Sequence, residues 1–88
     1  MESFELLHTS PNPFNPSTTI EYKVLSNSPV SLHIIDLQGR IVSKLINSEM
    51  EAGSYHILWD AGNYPSGMYL VRFDSNETIL TKKIMLIK

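Results

Sequence analysis

Turn-forming residues recur along this chain at short and nearly regular intervals, and that punctuation limits the fold more than any other feature. The clusters are 11–16, "SNSP" (26–29), "DLQG" (36–39), "EAG" (51–53), "NYPSG" (63–67) and "DSNE" (74–77), with runs of six to eleven residues between them. Such runs are too short for stable helices, and none repeats apolar residues at three and four. They match instead the strand spacing of an antiparallel sandwich. The reading is therefore all-β: an immunoglobulin/fibronectin-like antiparallel β-sandwich of about seven short strands. At 88 residues there is room for one core only. Residues 10–88 are assigned to the sandwich, and 1–9 to a leader or a short edge strand, with "FEL" at 4–6 as the candidate.

Alternation assigns the faces. Ile20, Tyr22 and Val24 interleave with Thr19, Glu21 and Lys23, so the first set points to the core. Val30, Leu32 and Ile34 form a second inward set, with Ser31 and His33 outward. Tyr55, Ile57 and Trp59 form a third, with His56 outward, and Tyr69, Val71 and Phe73 a fourth, with Arg72 outward. In "RIVSKLIN" the alternation fails, because Val42 and Leu45 look equally core-like, and a β-bulge is the physical remedy. Gly39 closes the Asp-Leu-Gln turn, where positive φ is needed. In "SPNPFNPSTTIEY", Pro11, Pro13 and Pro16 hold residues 10–16 out of helix. Asn12 and Asn15 are placed to form Asx-turns, and Phe14 to plug the open end of the sandwich. A stiff lead-in of this kind would point the far end of the domain away from whatever precedes it.

Chemistry is sparse. There is no cysteine, so thiol nucleophiles, thiolate ligands and disulfides are excluded, and a net charge of −2 gives no footprint for nucleic acid or an anionic membrane. No stretch approaches the roughly 20 apolar residues of a membrane helix. "MESFELLH" carries acidic residues where a signal peptide carries basic ones, so no N-terminal export signal is expected from these residues. His8 falls in the leader, and His33 and His56 face outward on different strands with no carboxylate at ligand spacing. Ser54, His56 and Asp60 supply the letters of a triad but sit on one short strand, where they do not converge. Asp36, Asp60 and Asp74 occupy separate turns, and no glycine-rich loop has the lysine a phosphate cradle needs. Trp59 shares parity with Tyr55 and Ile57, which makes it a core pin rather than a sugar platform. The reading is no enzyme, no cofactor and no metal.

The last strand is unusual. "TILTKKIMLIK" ends in Lys83, the apolar run Ile84, Met85, Leu86 and Ile87, and Lys88. An unbroken apolar run indicates burial on both faces, or one face kept for a partner; lysines guarding an edge strand against unwanted pairing are the plainer alternative.

Taken together, "PNPFNPSTTIEY", "VSLHIIDLQGRIVSKL", "AGSYHILWD", "SGMYLVRF" and "KKIMLIK" resemble the type A C-terminal sorting domain of the type IX secretion system, over residues 10–88. The strand pattern is shared with the immunoglobulin-like domain of flagellar hook-capping proteins. The resemblance implies a secretion signal for an upstream passenger, which these 88 residues do not include. It implies recognition by an outer-membrane channel or shuttle proteins and removal by a sortase-like peptidase. The route runs through the periplasm to the cell surface or the medium. By resemblance, Lys83 to Lys88 are the recognition segment, while Asn12, Pro13, Phe14, Asn15, Pro16, Gly39, Trp59, Gly67 and Tyr69 match family motifs of structural character. The competing class is a structural or adhesive immunoglobulin-like module, hook-cap-like or carbohydrate-binding, with no sorting role.

Overall fold

In the computed structural model, which describes residues 6–75 and 78–87, every regular element is a strand. The strands are β1 (Leu7–Ser10), β2 (Ser17–Val24), β3 (Ser28–Ile35), β4 (Ile41–Met50), β5 (Gly53–Asp60), β6 (Gly67–Ser75) and β7 (Thr78–Leu86). They form a three-stranded sheet ordered β1-β2-β5 and a four-stranded sheet ordered β4-β3-β6-β7, all pairs antiparallel. The two sheets face each other as the predicted sandwich. Strand β1 begins at Leu7, which is buried, and Leu6 lies outside it; Phe4 and Glu5 of the 4–6 candidate lie outside the described residues.

The inward sets of β2, β3 and β6 are buried as alternation requires: Ile20, Tyr22, Val24, Val30, Leu32, Ile34, Tyr69, Val71 and Phe73. On β5 only Trp59 is fully enclosed, while Tyr55 and Ile57 pack against the core half-buried. The reason is position, since β5 is the outer strand of its sheet and lacks a neighbour on one side.

The broken alternation of β4 resolves into two irregularities. Leu32 pairs with Ile46 and His33 with Lys44, which leaves Leu45 as an extra residue; Ile34 pairs with Ser43 and Ile35 with Ile41, which leaves Val42 as another. The two extra residues are the two that broke the pattern. Each insertion shifts the parity of the strand, so Val42, Leu45 and Ile46 all pack against the core.

One end of the sandwich is closed by aromatic rings. Phe14, 2% exposed, lies 5.7 Å from Trp59, which also meets Tyr64 at 5.6 Å and Tyr69 at 5.7 Å. Phe14 therefore plugs the open end, as expected. The backbone of the lead-in also bridges to Leu86 in β7. Replacing Phe14 with Ala removes a buried ring at this junction. It should lower the unfolding free energy by about 3–5 kcal/mol, seen as a fall in the urea midpoint at constant slope.

Candidate functional site

The turn joining β3 to β4 is organised by one carboxylate. Asp36 Oδ1 accepts from the backbone N–H groups of Gln38 (3.0 Å) and Arg40 (2.9 Å), and Oδ2 accepts from Arg40 Nε at 2.9 Å. Gly39 takes φ +86° at its tip, which an L side chain adopts only with strain. The Arg40 backbone bond, reinforced by the Arg40 guanidinium and the Gln38 amide, holds the Asp36 carboxyl below its ordinary pKa. A second fixed corner sits opposite. The buried Tyr69 donates its hydroxyl to Pro65 O at 2.7 Å, four residues upstream, and Gly67 (φ +152°) bends the chain between them. This is the tyrosine corner of sandwich folds. Burial, reinforced by Asp36 and Tyr64, pushes the Tyr69 phenol above its ordinary pKa, so it stays a donor. The Gly-x-Tyr motif is thus accounted for structurally.

Asn12 departs from expectation. Its side chain makes no Asx-turn but spans the domain: Nδ2 donates to Lys83 O (3.0 Å), and Oδ1 accepts from Met85 N–H (3.0 Å). Phe14 N–H then donates to Met85 O (2.9 Å), and Ile87 N–H donates to Phe14 O (3.0 Å). The lead-in is held at its other end by Thr18 Oγ1, which donates to Pro11 O (2.8 Å), and by Ala61 N–H, which donates to Pro16 O (2.9 Å). Pro13, Asn15 and Pro16 themselves are exposed.

The terminal run divides by face. Ile84 and Leu86 are 0% and 1% exposed and belong to the core, so two members of the segment expected to be recognised are enclosed. Lys83 and Ile87 are exposed and Met85 is half-buried. Lys88 lies outside the described residues. Register extends this outward half into a wider surface on the four-stranded sheet. One row across the strands reads Ile41, Ile35, Leu70, Lys83, and Met68 pairs with Met85 in the next. Directly opposed residues share a face with Cβ atoms about 5 Å apart, so these form a continuous apolar strip. Leu37, 67% exposed, stands at one end, and with Met68, Arg40 and Pro65 it lines a groove of about 380 Å³. On the other side, the neighbouring row is Lys44, His33, Arg72, Thr81. Sequence reasoning missed Ile35, Ile41, Met68 and Leu70 because their partnership depends on pairing between distant strands.

The residues considered for chemistry are not assembled. Register places Glu21 between His8 and His56 on the three-stranded sheet, a carboxylate neighbour that linear spacing did not reveal. Even so, among the described residues no three His, Cys, Asp or Glu side chains are grouped to hold a metal ion. Ser54, His56 and Asp60 are alternate positions of β5, and Asp60 Oδ1 accepts from Gly62 N–H at 3.0 Å. Trp59 is buried, and Tyr64 spends its hydroxyl on Val42 O at 2.9 Å, so neither ring stands free as a sugar platform.

The described residues thus form a two-sheet sandwich whose strand β7 is bonded to the lead-in. Comparison with known families then places it: residues 10–88 match the secretion system C-terminal sorting domain, and the chain belongs to that family, the sorting signals of type IX secretion. No curated protein matches the chain. The family is one of sorting signals rather than enzymes.

Two outcomes follow from the fixed corners. Tyr69→Phe should lose about 1 kcal/mol of stability, the net worth of one hydrogen bond, measurable by denaturant titration. Asp36 is depressed in the folded state, so its contribution is full above the ordinary carboxylate pKa and is lost as pH falls through the lowered folded value. The melting-temperature gap between the native chain and Asp36→Ala should therefore be largest near neutrality and shrink in acid over that window.

Proposed function

We propose that this domain carries an upstream passenger across the outer membrane through the type IX machinery. A channel component or shuttle protein reads the outward side chains of its terminal strand. The passenger passes through the periplasm and is delivered to the cell surface or the medium, with the domain then removed by a sortase-like peptidase. The observation supporting this reading is the division of β7. Ile84 and Leu86 lock the strand into the core, while Lys83, Met85 and Ile87 remain on the outer face. A signal of this kind needs a rigid anchor and a readable surface, and alternate residues of one strand supply both.

Deleting the last residues would remove Ile84 and Leu86 and so report on folding as well as recognition. The informative variant is Lys83→Glu with Ile87→Ser, both at exposed positions. Fused to a reporter in a host that carries the secretion system, it should keep the native melting temperature. Export should fall by roughly tenfold, equivalent to about 1.4 kcal/mol of binding. Export at the native level would remove the reading.

A further inference from the structure

We propose that the terminal strand is read face-on rather than by strand addition, with Asn12 as the positioning residue that holds it for reading. The partner surface is a protein's, apolar and bearing carboxylates. This rests on the sorting function proposed above and specifies how the signal is recognised.

The argument begins with the edge of β7. In an antiparallel strand the N–H and C=O of one residue point to the same side, alternating along the chain. Lys83, Met85 and Ile87 direct theirs away from β6, and these are the groups an added strand would need. Four of these six are already occupied: Lys83 O and Met85 N–H bond the Asn12 side chain, and Met85 O and Ile87 N–H bond the Phe14 backbone. Residues 12–14 thus perform in cis the strand addition that a partner would perform in trans. What stays accessible at this end is the side-chain face.

That face has a definite chemistry. The row Ile41, Ile35, Leu70, Lys83 and the row Lys44, His33, Arg72, Thr81 together hold three fixed cations and no carboxylate. Two acids bordering these rows are engaged, Asp36 by Arg40 at 2.9 Å and Asp74 by Arg72 at 3.9 Å. Apolar side chains flanked by lysines that pair with no carboxylate among the described residues fit a protein surface of aliphatic groups with acidic residues opposite Lys83 and Lys44. Because the strip crosses all four strands, Leu37 and Ile41 belong to the recognised surface although they lie more than forty residues before the terminal strand's last residue.

The experiment combines exchange and export. In Asn12→Ala, amide exchange at Met85 and Ile87 should accelerate roughly tenfold to a hundredfold, the range for two hydrogen bonds of ordinary net strength. Exchange at Leu32 and Val71 should not change, whereas a general loss of stability would move all four. Export of the fused reporter should fall in Asn12→Ala, and also in Leu37→Ser with Ile41→Thr, whose exposed sites tolerate substitution. An increase in export with Asn12→Ala would mean the partner displaces residues 12–14 and adds to the edge, which overturns the proposal. So would unchanged export in Asn12→Ala despite faster exchange, or normal export of the Leu37 and Ile41 variant. Binding of the chain to anionic phospholipid vesicles that disappears in that same variant would assign the face to lipid and overturn it too. These results are separable from failure of the sorting function, which Lys83→Glu with Ile87→Ser tests alone.

Discussion

The structure depends on one junction, where residues 12–14 close against the end of β7. Four hydrogen bonds there join positions more than seventy residues apart, and the Phe14 ring beneath them completes the aromatic plug around Trp59. In a domain of 88 residues, which buries a modest fraction of its surface, an edge strand at the chain terminus is the element most prone to fray. Binding it to the lead-in satisfies four of its outward backbone groups. Burying Ile84 and Leu86 fixes its register.

The same economy governs the rest of the body. The irregularities of β4 let three neighbouring apolar residues share one core without leaving the sheet. The Asp36 turn and the tyrosine corner are each closed by side-chain bonds to backbone groups. Both sit at the end where β7 leaves the sheet, and they border the groove that contains Leu37 and Met68. Rigid corners therefore frame the apolar strip, which is what a surface needs if it is to be recognised without reorganisation cost.

Membership of the sorting-domain family gives this surface its meaning. A signal must survive folding of its carrier and still be legible. Under the proposed function one strand achieves both, with its inward residues carrying stability and its outward residues the information. Trp59 is committed to the plug, and Tyr64 donates its hydroxyl to Val42. Two histidines, His8 and His56, flank Glu21 on one sheet, and His33 lies on the other.

Local chemistry alone determined a good deal here. Period-two alternation and turn residues identified the strand class and the inward sets of β2, β3 and β6. The broken pattern at Val42 and Leu45 marked where the register slips. Proline and glycine, whose effects act within a residue or two, were legible for the same reason. Tertiary structure alone decided which strands became edges, and hence why Tyr55 and Ile57 are only half-buried. It also turned Asn12 from a local cap into a bond across the domain, split the terminal apolar run, and gathered Ile35, Ile41, Met68, Leu70 and Met85 onto one surface. These follow from pairing between residues far apart in the chain, and no periodicity within a single strand encodes which other strand will lie beside it.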